Sequence, residues 1–254
     1  MTTLSQHIVG NGPKHLALVH GFTQTGNSML PFAQQPDDQW TTHVVDAPNH
    51  GDSHDVSLNM AHGADALVET VGEAIYLGYS MGARLCLHAA LQHPEKVRGL
   101  VLVSGTAGIR DDAQRLLREK FDNDLGQHIE TIGVAAFISE WLAKPMFTNL
   151  KFAAADIADR CRNTALGLSS SLRLAGTGAQ QSLWPTLHSI RVPVLIIAGK
   201  NDTTFCDNAE QMGELIGSKA TVSLIDNCGH CAHLEQPEVF SSIVVDWLEH
   251  QTNR

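Results

Sequence analysis

The 254-residue sequence has no run approaching the ~18 consecutive apolar residues that a helical membrane span requires. Its opening, MTTLSQHIVGNGPKH, lacks the basic and apolar regions of a secretory signal, so the expected location is cytoplasmic. Basic residues are in deficit, with Lys and Arg at 17 against 27 Asp and Glu and a net charge of −10. That balance opposes a role built on broad attraction to nucleic acid or to an anionic membrane, while leaving room for a local basic pocket. Cysteine is scarce and odd in number: Cys86, Cys161, Cys206, Cys228 and Cys231. A chain long enough to close one sizeable core needs no disulfide staple, and this count fits a reducing compartment. Internal repeats, low-complexity tracts and linkers of disordered composition are also missing.

Some local patterns imitate other chemistry. Cys228-Gly-His-Cys231 reads literally as a thiol–disulfide motif, but it falls after most of the strands rather than at a helix start in a thioredoxin-like unit. With His233 added, Cys228, His230, Cys231 and His233 form a nominal zinc set, too compressed for the usual structural pair of knuckles. His50, His54, Asp55 and His62 match no recognised ligand spacing. No metal is expected from these spacings.

What is present is a rhythm of short apolar runs separated by helical patterns. Strands are predicted at 16–20 (LALVH), 42–46 (THVVD), 74–78 (AIYLG), 97–104 (VRGLVLVS), 192–198 (VPVLIIA) and 220–225 (ATVSLI). Helices are predicted at 28–35, 55–71, behind residue 80 as MGARLCLHAALQHP, at 206–216 and at 239–249. Runs that are apolar throughout imply parallel strands covered on both faces, hence a doubly wound α/β sheet in one domain. The rhythm breaks between 109 and 187, where helices are predicted at 111–124, 129–142 and 153–174. Roughly 75 residues without a strand is too long for an ordinary crossover, so 109–187 is expected to be a helical lid inserted in a core made of 1–108 and 188–254.

Gly78-Tyr79-Ser80-Met81-Gly82 is a Gly-x-Ser-x-Gly sequence after a strand and before a helix, the context of a nucleophile elbow. A serine hydroxyl needs an imidazole to take its proton, and the imidazole needs a carboxylate to orient it. In the α/β-hydrolase fold the order along the chain is serine, acid, histidine, which singles out Ser80, Asp202 and His230. Asp207 is the alternative acid, though a helix start gives it a capping role; His233 is the alternative or supporting histidine; Asp226 fits a turn-stabilising role before Asn-Cys-Gly. Backbone N–H groups of Met81 and Phe22 are expected to form an oxyanion site. Arg84 lies one helical turn past Ser80, where position alone balances a substrate contact against a structural ion pair. Arg115 and Arg118 share a helix face, and Arg160, Arg162 and Arg173 follow in the same insertion; several arginines converging over Ser80 would indicate a substrate with multiple carboxylates. Trp141 either walls the pocket or seats the insertion.

Nearly the whole chain resembles the menaquinone-pathway family of 2-succinyl-6-hydroxy-2,4-cyclohexadiene-1-carboxylate synthases, within the α/β-hydrolase superfamily. The resemblance is carried by VHGFTQTG at 19–26, DAPNHGDS at 46–53, GYSMGAR at 78–84, VSGTAGI at 103–109, AFISEWLAKPMF at 136–147, GLSSSLRLAGTGAQQSLW at 167–184, GKNDTTF at 199–205 and GHCAHLEQP at 229–237. HGFTQTG stands here in place of the more usual HGFLGSG, and DAPNHG in place of PGHG. The resemblance implies elimination of pyruvate from a polycarboxylated cyclohexene, with Ser80 of a Ser80–His230–Asp202 triad acting as a base and no cofactor. It implies Arg84, Arg118 and Arg162 at the substrate carboxylates, with Trp141 and Tyr79 also at the substrate. A carboxylesterase working through an acyl-Ser80 is the competing expectation. The expected partner is a small polycarboxylate rather than nucleic acid or membrane, with monomer and dimer both open.

Overall fold

The six apolar runs form buried or half-buried strands of one sheet in the structure, a computed structural model that describes residues 2–252. They are β2 (Lys14–Val19), β3 (Trp40–Val45), β4 (Ala74–Tyr79), β5 (Val97–Val103), β6 (Val194–Gly199) and β7 (Ala220–Ile225), and all pair in parallel. A seventh strand, β1 (Gln6–Val9), pairs antiparallel with β3 at the sheet edge, and the order is β1-β3-β2-β4-β5-β6-β7. β1 is not among the strands predicted from the sequence. It is four residues long and mostly exposed, so it carries neither the buried run nor the sustained alternation by which a strand is recognised.

Helices cover both faces, as parallel sheets require. On one face, α2 (Met60–Val71), α3 (Met81–Gln92) and α8 (Thr203–Ile216) bury Leu67, Leu85, Leu87 and Met212 against Ala17, Tyr76, Leu100 and Ile196. On the other, the short α1 (Leu30–Ala33) and α10 (Pro237–Thr252) bury Phe32, Phe240 and Val244 against Leu16, Leu77, Val101 and Ile197. Each such side chain contributes roughly 1.5–3 kcal/mol by leaving water. α2 begins five residues later than predicted because Asn59 caps it, accepting from the His62 N–H.

Between β5 and β6 the chain forms α4 (Asp112–Ile132), α5 (Val134–Leu142), α6 (Ala154–Arg160) and α7 (Ala165–Ala175). Two boundaries differ from the sequence reading. α4 continues through Ile132 and stops at Gly133, whose φ of 77° ends the helix. The single helix expected over 153–174 is two, because Asn163 leaves the helical path to bond the Thr23 carbonyl and the Gly51 N–H, and Thr164 caps the next helix. The segment has its own apolar cluster of Ile129, Phe137, Ile138, Leu168 and Leu172, with Phe22 and Trp141 packed against it. A short α9 (Ala232–Glu235) lies between β7 and α10.

Candidate active site

Ser80 sits where β4 turns into α3, at φ 53° and ψ −105°, a backbone region that a serine occupies at a cost of about 1–3 kcal/mol. The turn closes only because its flanks are glycine: a Cβ on Gly78 would lie 2.2 Å from the Gly82 carbonyl oxygen, and one on Gly82 would lie 2.2 Å from that of Val19. The Ser80 N–H is fixed to the Val103 carbonyl at 2.8 Å. Met81, at the first position of α3, has an N–H that helix geometry leaves without an intrahelical partner.

The ends of β6 and β7 deliver the other two groups to the same edge of the sheet. His230 Nε2 lies 3.1 Å from Ser80 Oγ, and His230 Nδ1 lies 2.7 Å from Asp202 Oδ2. A carboxylate only accepts, so Nδ1 carries the proton and the Nε2 lone pair faces the serine. The His230 side chain is buried, and Phe205 packs edge-on against its ring at 4.5 Å. Asp202 also acts through its other oxygen, Oδ1, which accepts the Phe205 N–H and so caps α8.

The competing residues stand elsewhere. Asp226 is exposed and paired with Lys200 at 2.8 Å. Asp207 is inside α8 rather than at its cap. His233 is buried behind the site, its ring 4.4 Å from that of Tyr79 and its Nε2 3.5 Å from the Gln24 amide nitrogen; burial, with Arg160 and His230 nearby, pushes its pKa down to about 3. Burial pushes the Cys228 and Cys231 thiols up to about 12, opposite to the low-pKa thiolate that redox chemistry requires. Among the described residues, no group of His, Cys, Asp or Glu is arranged to hold a metal.

A cavity of about 310 Å³ opens over Ser80 and His230, walled by Phe22, Met81, Arg84, Arg118, Trp141 and Lys144 among others. Arg84 is held from behind, its Nη1 donating to the Ala175 carbonyl and to Gln180 Oε1, both at 2.9 Å. Burial, then the neighbouring Arg118, lowers its pKa to about 10, so it is cationic at neutral pH. Arg118 donates through Nε to Asp122 at 2.7 Å, and Asp122 is itself 1% exposed. Two polar atoms of residues lining this cavity, Ser104 Oγ and Trp141 Nε1, are buried and have no hydrogen-bond partner among the described residues.

Two expected substrate residues are not brought to this cavity. Arg162 is exposed at the surface and is consumed by ion pairs with Asp52 at 2.8 Å and Asp159 at 3.2 Å. The reason is the break between α6 and α7, which points this residue outward while its neighbour Arg160 turns inward to the Thr23 hydroxyl. Arg160 lines a separate cavity of about 300 Å³ with Gln24, Asn27 and Phe152. Tyr79 is 4% exposed and donates or accepts at Cys231 Sγ, 2.8 Å away, so it backs the His230 and His233 rings instead of facing the cavity. Three residues that the sequence reading leaves aside do matter here: Lys144, Asp122 and Phe205. The i to i+4 spacing of Arg118 and Asp122 is the available signal for the second.

The alpha/beta hydrolase family model matches residues 16–243. A protein of Bacillus subtilis provisionally named 2-succinyl-6-hydroxy-2,4-cyclohexadiene-1-carboxylate synthase is 33% identical over 251 residues, covering 94% of this chain and 91% of that protein. The synthase of the same name from Serratia proteamaculans is 25% identical, covering 92% of each chain. The solved structure of MenH from S. aureus superposes with a TM-score of 0.88 at 25% identity, covering 97% of this chain and 98% of that one. Taken with a serine elbow, its histidine and its acid arriving in the order that this fold dictates, these matches place the chain in the alpha/beta hydrolase family and, within it, in the 2-succinyl-6-hydroxy-2,4-cyclohexadiene-1-carboxylate synthase family.

Proposed function

We propose that the site eliminates pyruvate from 2-succinyl-5-enolpyruvyl-6-hydroxy-3-cyclohexene-1-carboxylate to give 2-succinyl-6-hydroxy-2,4-cyclohexadiene-1-carboxylate. The observation that carries this reading is the presence of Arg84 and Arg118 on the walls of the cavity that holds Ser80 and His230, in a chain whose net charge is −10. Clustering cations in an acidic protein costs solvation energy that an anionic ligand offsets. Residues 109–187 act in this reading as a lid on a core of 1–108 and 188–254, and the separate apolar cluster of the segment supports that division.

The chemistry follows from the two names. The C2 hydrogen is acidic because it lies next to the succinyl carbonyl. Ser80, its proton passed to His230 and the charge there balanced by Asp202, takes that hydrogen. The electrons form C2=C3, the old C3=C4 bond shifts to C4=C5, and the C5–O bond breaks, releasing the enolate of pyruvate, which takes the proton held on His230 and leaves as the enol. Charge gathers on the succinyl carbonyl oxygen, where the N–H groups of Met81 and Phe22 would stabilise it. The step is redox-neutral and balances without a cofactor.

Purified protein given this substrate should release pyruvate and form the diene chromophore in equal amounts. Arg84→Ala and Arg118→Ala should each weaken turnover by ~10-fold or more, the scale of a lost charge-assisted contact. Full turnover by both variants would sink the carboxylate role, and ester hydrolysis through a trappable acyl-Ser80 without pyruvate release would establish the carboxylesterase alternative instead.

A further inference from the structure

We propose that Lys144 is the third cation of the substrate pocket, binding a carboxylate beside those held by Arg84 and Arg118. This rests on the reading above that the ligand is a polycarboxylate. Lys144 follows α5 and opens the turn at Pro145–Phe147, where its main-chain N–H bonds the Trp141 carbonyl at 3.2 Å. That return bends the side chain over the Trp141 ring, with Nζ 3.9 Å from the ring centroid, and Lys144 lines the cavity that holds Ser80, Arg84, Arg118 and His230.

The charges explain why this ammonium is available. Glu140, on the preceding helix α5, raises the Lys144 pKa through its charge but is itself paired with His128 at 2.8 Å, and no carboxylate pairs with Lys144 among the described residues. Desolvation and then the charge of Arg118 lower its pKa, as expected for cations facing one partly closed space. Among the described residues that line the cavity, Asp122 is the one carboxylate opposing Arg84, Arg118 and Lys144, and it already receives Arg118 and the Gly178 N–H. The wall therefore carries a positive surplus over a lining that is otherwise largely apolar, an arrangement that an incoming polyanion stabilises. Indole contact holds the lysine in place without neutralising it. The substrate has three carboxylates, on the ring, the succinyl arm and the enolpyruvyl arm, and the product has two. Three cations thus match the substrate and exceed the product, which favours release after elimination.

The test is direct binding of propane-1,2,3-tricarboxylate and of succinate to the intact protein by calorimetry, comparing wild type with Lys144→Met and Lys144→Arg. The proposal predicts that the tricarboxylate binds wild type more tightly, that K144M weakens it by ~10-fold or more while affecting succinate less, and that K144R restores it. Steady-state kinetics should show the K144M defect in KM with kcat changed far less. Equal tricarboxylate affinity in wild type and K144M, or no binding to wild type, overturns the assignment. Because this binding needs no turnover, a protein that discriminates through Lys144 yet releases no pyruvate would refute the lyase reading and leave the cation site standing.

Discussion

Asp202 does two things with its two oxygens, and the pair can be separated. Asp202→Asn keeps a good helix cap but gives Nδ1 of His230 a group that can also donate, so it should lower kcat by ~10²–10⁴-fold with stability nearly unchanged. Asp202→Ala should lose the same activity and a further ~1 kcal/mol of stability through α8, read from urea midpoints. Equal stability of the two variants would show that the cap contributes nothing. At this scale the sequence displays Ser80, Asp202 and His230 because the fold fixes both their order and the strand ends that carry them. It does not display orientation. Arg160 and Arg162 are two residues apart in the arginine cluster between β5 and β6, and the break between α6 and α7 at Asn163 separates the buried one from the exposed one. Tyr79 neighbours Ser80 in sequence, yet its side chain goes to Cys231 on the other side of the turn.

The elbow is an element whose shape depends on two contacts that no side chain can share. Gly82→Ala must push a methyl into the Val19 carbonyl, and the expected result is loss of folding or more than ~3 kcal/mol of stability. Gly72→Ala is the control: its φ is 80° and its ψ −143°, a region almost reserved for glycine, but nothing lies within 4 Å of the new Cβ, so about 1–3 kcal/mol of backbone strain is the whole cost. Comparable stability of the two variants, measured by thermal or urea unfolding, would contradict the role of packing at the elbow. The parallel strands are legible because burial on both faces writes a continuous apolar run. The helices between β5 and β6 are legible as a group but not in their breaks, since Gly133 and Asn163 act through a left-handed φ and a long-range hydrogen bond. Lys144 is invisible for a related reason: its value comes from sitting above Trp141 at the end of α5, which spacing alone does not reveal.

For the whole molecule, burial lowers the pKa of five histidines, His20, His43, His50, His88 and His233, and this is expected to weaken the fold in acid. Burial holds the pKa of His20 near 4 and those of His50 and His233 near 3, against an ordinary 6.5. A depressed histidine is neutral when folded and charged when unfolded across that window, so unfolding takes up protons and stability rises with pH there. The contribution is complete above about pH 6.5 and is lost progressively as pH falls toward 4 and then 3. Urea midpoints should fall steadily below about pH 6.5, with His233→Phe giving a shallower decline; a flat profile down to about pH 4.5 would contradict this. The charge arrangement of the molecule points the same way as its active centre, because an overall −10 surrounds one cavity with a positive wall.

Proton transfer by Ser80, rather than its attack on a carbonyl, is the step on which the proposed reaction turns. It is tested most directly by rapid acid quenching during turnover of the cyclohexene substrate, followed by the mass of the intact protein. Pyruvate should accumulate while the protein keeps its unmodified mass at every time point. An acyl adduct on Ser80 that rises and decays at the rate of turnover would show instead that Ser80 attacks a carbonyl.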